Sequence, residues 1–172
     1  PIDYGRYHAH SKIADSNNKS VVFVGRFDER KGALQLVQAI SLLPQKTRNK
    51  VSFVMCGKGP LLAQAKSFAE LNSLHIEFPG FVTDKQKIKY LSTATIAVFP
   101  SISGESFGIV LAEAMAAGSG VTIGGDNPGY KSVLGAWVET LFDARDPRII
   151  ADTLLHFLTD SSLRKKIGTE QH

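Results

Sequence analysis

With 172 residues, 43% of them hydrophobic and 21% charged, the chain is long enough for one domain with a substantial core and too apolar for disorder. No apolar run approaches the ~20 residues needed to cross a bilayer. The single cysteine, Cys56, excludes an internal disulfide and a cysteine-built metal site and fits a reducing, cytoplasmic setting. The net charge of +4 suits anionic ligands, but no aromatic-interleaved basic stripe or reader motif points to nucleic acid.

The chain opens at Pro1 with neither an initiator methionine nor a signal peptide, so a piece of a longer protein is expected. Residues 1–20 read as a polar, turn-rich interdomain lead-in and 21–172 as one folded domain. Val21 to Val24 is a buried-strand run, followed by a loop from Gly25 to Gly32. Ala33 to Leu43 has helical apolar spacing and stops before Pro44. The same order then repeats. A strand from Val51 to Cys56 leads through Gly57-Lys58-Gly59-Pro60 into a helix from about Leu61 to Leu71. Another from His75 to Phe78 leads through Pro79 to Thr83 into a helix from about Asp84 to Leu91. Strands at Thr95 to Phe99 and Gly120 to Ile123 follow, and helices at Pro147 to Leu158 and Ser161 to about Gly168 close the chain. Alternation of this kind predicts a parallel α/β sheet of about six strands with helices on both faces and ligands at the strands' carboxyl ends.

The densest chemistry follows Phe99. After the loop Ser101 to Gly104 come Glu105-Ser106-Phe107-Gly108-Ile109-Val110-Leu111-Ala112-Glu113, then Ala114-Met115-Ala116-Ala117-Gly118. The helix is expected to start at Ser106 and end at Gly118. Its N-terminus suits a phosphate, with Glu113 roughly 10 Å farther along the axis at about 1.5 Å per residue. A molecule with a central diphosphate could meet one acid at each end. On spacing alone, a capping acid at Glu105 and a solvated Glu113 fit as well. Arg26 and Lys31 sit in the first glycine-bounded loop, where Arg can fork onto phosphate and Lys acts as a point charge. Two such cations on their own more often belong to a solvated surface. Gly57 and Gly59 make a tight strand-to-helix turn, and Asp84 makes a good N-cap. The histidines at 8, 10, 75, 156 and 172 carry no metal-ligand spacing.

Taken together, these segments resemble glycosyltransferase family 4, retaining enzymes of the GT-B fold. The resemblance rests on the E-x(7)-E pair Glu105 and Glu113, the V-G-R-x(4)-K-G loop holding Gly25, Arg26 and Lys31, the Gly57 to Pro60 turn, and the Gly80 to Lys87 segment. It implies a Rossmann-like donor-binding domain, the C-terminal half of a GT-B enzyme, working with an N-terminal acceptor domain that is not part of this chain. The donor it implies is a nucleoside diphosphate sugar, GDP- or UDP-linked, with no cofactor and no metal. By the same resemblance, Arg26 and Lys31 neutralise the departing diphosphate, helped by backbone N–H groups near Phe107, Gly108 and Ile109. Gly57 lines the nucleotide pocket with room for close approach of the ligand, and Val82, Asp84 and Lys87 surround the base, with a hint of guanine. Glu113 holds the ribose hydroxyls and Glu105 the sugar, close to the reacting carbon. A cytoplasmic protein, open to peripheral association with the inner face of a membrane, follows from the lipid-building members of the family.

The chain departs from the family pattern at two positions, with Gly120 where proline is common and Ser132 where glutamate often stands. A nucleotide-binding module without transferase activity and a GT-B sugar-nucleotide epimerase are the alternatives.

Overall fold

The computed structural model describes residues 18–172. Six strands pair in parallel: β1 (Lys19–Val24), β2 (Val51–Cys56), β3 (Ile76–Gly80), β4 (Ile96–Phe99), β5 (Thr122–Gly125) and β6 (Leu141–Phe142). Their spatial order is β3-β2-β1-β4-β5-β6. The helices are α1 (Ala33–Leu42), α2 (Gln45–Arg48), α3 (Leu62–Leu71), α4 (Asp84–Ser92), α5 (Ile109–Ala116), α6 (Pro128–Leu134), α7 (Pro147–Thr159) and α8 (Ser161–Gln171).

Alternating strand residues feed two cores, which is why the strand sequences read as unbroken apolar runs. Val21, Phe23, Phe53 and Ile96 pack with α1, α3, α7 and α8 on one face. Val22, Val54, Cys56 and Ala97 pack with α4, α5 and α6 on the other. Strand order reverses between β1 and β4, and the loops leaving these two strands diverge there. Such a divergence opens a crevice beyond the carboxyl ends of an open sheet.

The predicted strands and helices are present, with ends shifted by a few residues, and the sheet is the expected parallel one. β1 opens at Lys19, inside the stretch read as lead-in; residues 1–17, with His8 and His10, lie outside the described residues. Three differences have physical causes. The segment from Asn127 to Leu134, where no helix is expected from the sequence and Gly124 to Tyr130 reads as a loop, is helix α6: Asn127 accepts from Tyr130 N at 3.0 Å, and Pro128 sits in the first turn, where a missing N–H costs nothing. β6 has two residues and no run to betray it. Finally, α5 starts at Ile109, three residues later than expected, because Gly108 takes a left-handed φ of 65° as N-cap and Ser106 and Phe107 form a bend.

Gly120 N donates to Ala94 O at 2.8 Å. A proline there would forfeit that bond, so glycine suits this chain at the departure from the family pattern. Ser132 donates to Gly129 O within α6, at 2.7 Å, and is exposed.

Candidate donor-binding crevice

The loop leaving β1 is tied to its neighbours by backbone: Gly25 N donates to Cys56 O at 3.0 Å and Phe27 N to Lys58 O at 2.9 Å. Asp28 then caps a 3-10 turn, Glu29–Lys31, by accepting from Lys31 N at 3.1 Å. The turn ends at Gly32 (φ 65°), where an added Cβ would stand 2.0 Å from Pro100 O. That approach is possible only for glycine, and it sets Lys31 beside the exit of β4. Across the gap, Lys31 Nζ pairs with Glu105 Oε1, and Ser101 Oγ donates to the same oxygen at 2.6 Å. Glu105 Oε2 takes no hydrogen bond from any described residue.

A second pair lies beside the first. Lys87 Nζ is 2.8 Å from Glu113 Oε1 and 3.5 Å from Asp84 Oδ1. The Lys87 and Glu113 side chains keep only 16% and 17% of their surfaces, so water screens the pair far less than a surface one. Asp84 is not the N-cap expected of it. Thr83 caps α4 in a reciprocal capping box with Gln86, leaving Asp84 in the first turn, where its charge complements the helix dipole. Arg26 is the more exposed cation, with Nε 3.4 Å from Asp28.

Two adjoining cavities run through these groups. One, of about 300 Å³, is lined by Gly25, Arg26, Lys31, Ser101, Lys87 and Glu113 among others. The other, of about 420 Å³, is lined by Arg26, Gly57, Lys58, Val82, Asp84 and Lys87 among others. Both touch Arg26 and Lys87, so the cavities meet at two cations. Most of the residues singled out in the sequence are therefore brought together. Glu105 reaches the smaller cavity through its partners Lys31 and Ser101. Phe107, Gly108 and Ile109 line neither: Phe107 and Ile109 are more than half exposed, and Gly108 is buried against the Tyr130 ring. Among the described residues, no group of three or more His, Cys, Asp or Glu could hold a metal ion, and no helix is long and apolar enough to cross a membrane.

Gly57 departs from its expected reason. With φ at 141°, an added Cβ would stand 1.7 Å from Gly25 O, so the chain's own backbone already demands glycine there.

Ser101 and Tyr130 were not singled out as site residues, yet both line the smaller cavity. Nothing marks Ser101 in sequence apart from any loop serine. Tyr130 follows the turn-forming residues Asn127, Pro128 and Gly129, and nothing in the sequence marks it as more than a loop residue. Burial pushes the Tyr130 hydroxyl well above its ordinary value; the Glu105 charge adds to this, and a hydrogen bond with Ser101 opposes it. Burial likewise pushes the Cys56 thiol up to about 12, with the Glu77 carboxylate adding. Both groups stay protonated in the fold at pH values where the unfolded chain loses those protons. Their stabilisation is therefore complete below pH ~9 and is lost as pH climbs toward 12. The urea unfolding midpoint should fall between pH 8 and 10.5, and Cys56→Ala should flatten that fall; an unchanged slope would remove Cys56 as a cause.

An open parallel sheet with cation-lined cavities at its switch point defines a Rossmann-like α/β domain suited to an anionic nucleotide. The chain belongs to the glycosyl transferases group 1 family, which it matches over residues 8–171. It is 37% identical over 153 residues to a phosphatidyl-myo-inositol mannosyltransferase of Mycobacterium leprae, covering 86% of this chain and 39% of that protein. It is 28% identical over 153 residues to the serotype-specific mannosyltransferase WbdA of Escherichia coli, covering 86% and 18%. The chain thus spans two fifths or less of the length of these curated relatives. In fold it is similar to the C-terminal domain of a glycosyl transferase group 1 family protein (LpcC) from Francisella tularensis, with TM-score 0.82, 21% identity, and 99% and 94% of the two chains covered. The catalytic domain of cholesterol-alpha-glucosyltransferase from Helicobacter pylori gives TM-score 0.78 at 23% identity, covering 90% and 94%.

Proposed function

We propose that this domain binds a nucleoside diphosphate sugar and that the full-length enzyme transfers the hexose, mannose in the first instance, to an acceptor hydroxyl with retention of anomeric configuration. The observation that carries the proposal is the convergence of Arg26, Lys31, Lys87 and Glu113 on two joined cavities at the switch point, with Glu105 held at their edge by Lys31. Arg26 and Lys31 hold the diphosphate and offset its charge as the bond to the sugar breaks, so the reading calls for no metal. Glu113 accepts from ribose hydroxyls, and Glu105 orients the sugar through its uncommitted oxygen. Both acids are held by lysines without the donor, so binding exchanges a carboxylate for a phosphate at Lys31. The mannosyltransferase relatives support mannose, and guanine rests on the resemblance of the Gly80 to Lys87 segment. The phosphatidyl-myo-inositol mannosyltransferase relatives also support a lipid acceptor; in this reading the enzyme is cytoplasmic, meets that acceptor at the membrane face, and has its acceptor domain supplied by the rest of the protein.

Calorimetric titration of the chain with GDP, UDP and ADP tests the donor site. One diphosphate should bind, GDP best, and Arg26→Ala should weaken it at least about tenfold, the value of one charged hydrogen bond. Unchanged affinity in Arg26→Ala would withdraw the phosphate role.

A further inference from the structure

Phe81 leaves β3 just after Gly80 and keeps 73% of its surface exposed. It joins neither core, although Phe78 packs against one and Val82 against the other. Its position is nonetheless fixed at one end: Gly57 N donates to Gly80 O at 2.7 Å, tying the end of β3 to the turn after β2. The ring lines the 420 Å³ cavity together with Lys58, whose ammonium stands 5.8 Å from the ring centroid, and with Val82, Asp84 and Lys87. An apolar ring left uncovered on a cavity wall gains when a flat ligand covers it. A cation over a phenyl ring at an exposed site is a weaker partner than a stacked base.

We propose that Phe81 is the stacking wall of the nucleobase subsite, an inference that rests on the donor-site reading above. Every nucleobase presents a π face, whereas bases differ at their hydrogen-bonding edges. Phe81 therefore supplies affinity common to all bases. Asp84 and Lys87, polar groups on the same cavity, are left to discriminate between them. The nucleotide then runs from Phe81 past Arg26, which both cavities share, toward Lys31 and Glu105.

The test compares the chain with Phe81→Ala, Phe81→Trp and Arg26→Ala by calorimetry, using GDP, UDP and base-free pyrophosphate as probes. Phe81→Ala should weaken the nucleoside diphosphates by about 5- to 150-fold and leave pyrophosphate unchanged, and Phe81→Trp should restore binding. Because the ring is exposed, the unfolding midpoint of Phe81→Ala should match that of the parent. Nucleotide affinity within about twofold of the parent, or equal weakening of pyrophosphate, overturns the stacking role. Arg26→Ala separates the two ideas. If it loses nucleotide and pyrophosphate while Phe81→Ala changes nothing, stacking fails and the phosphate site stands. If Phe81→Ala weakens nucleotide alone while Arg26→Ala changes nothing, stacking stands and the phosphate assignment falls. Failure of the parent chain to bind any nucleoside diphosphate overturns both.

Discussion

Lys31→Met is expected to lower nucleoside diphosphate affinity about 10- to 100-fold and to destabilise the fold by about 1–3 kcal/mol. Glu105→Gln in the same chain should recover most of the stability but none of the affinity. Glu105 keeps 11% of its side-chain surface and Lys31 keeps 29%. Removing the cation leaves a carboxylate with one hydroxyl donor, Ser101, and little water. A fully buried pair broken this way costs about 3–5 kcal/mol; partial exposure of the lysine brings the figure down. Neutralising the acid as well removes the stranded charge, so the double-mutant cycle should show strong coupling in urea unfolding. Additive losses would mean that the two side chains do not depend on each other. In the full-length enzyme, Glu105→Gln should lower transfer by about 10²–10³-fold, the range seen when one preorganised electrostatic group is removed.

Why this pair is invisible in the sequence follows from its separation. Lys31 and Glu105 are 74 residues apart and meet because β1 and β4 are neighbours in the sheet. Alternation of strands and helices predicts a parallel sheet but not its strand order. Lys87 and Glu113 are 26 residues apart and depend on how α4 packs against α5. What could be read was the location: glycine- and charge-bearing loops fall after strands, and the carboxyl ends of parallel strands share one rim. Val51 to Cys56 is legible to the residue because Phe53 to Cys56 are buried on both faces of β2 and Gly57 follows at once. Pro128 and Gly129 are breakers by type yet open α6, and Gly129 is required because a Cβ would stand 2.1 Å from Glu105 O. That contact is tertiary, and so is the reason Phe81 is left uncovered.

The paired charges also bear on how the crevice changes on binding. Without donor, each acid already has a lysine partner, so the site exposes less net charge than its composition suggests. Under the proposed function, a diphosphate competes for Lys31 against Glu105. Arg26, more exposed and held among the described residues by Asp28 at 3.4 Å, is the cation most easily redirected. In the proposed function, Arg26 is then the first contact and Lys31 the later one. The affinity of the chain for diphosphate should accordingly depend on salt, since both the ligand and the competing pairs are partly screened.

Gly57→Ala is expected to be the most destabilising single substitution at the rim, with a loss above about 4 kcal/mol, whereas Gly80→Ala should lose only about 1–2 kcal/mol. Both glycines have positive φ, at 141° and 76°. Their surroundings differ. A Cβ at Gly80 meets nothing within 4 Å, so the cost is conformational alone. A Cβ at Gly57 would stand 1.7 Å from Gly25 O and 3.5 Å from the Phe27 ring, and the carbonyl belongs to the loop that carries Arg26. Relief requires the β1 loop to move away from the β2 turn, straining the Gly25 N to Cys56 O bond that joins them. Urea unfolding and nucleotide titration on both variants decide what glycine does there. If Gly57 is needed for the backbone approach, stability and binding fall together and Gly80→Ala keeps both near the parent. If it is needed only to admit the ligand, Gly57→Ala folds normally and loses binding alone, and the coupling between the two loops is not what holds the crevice open.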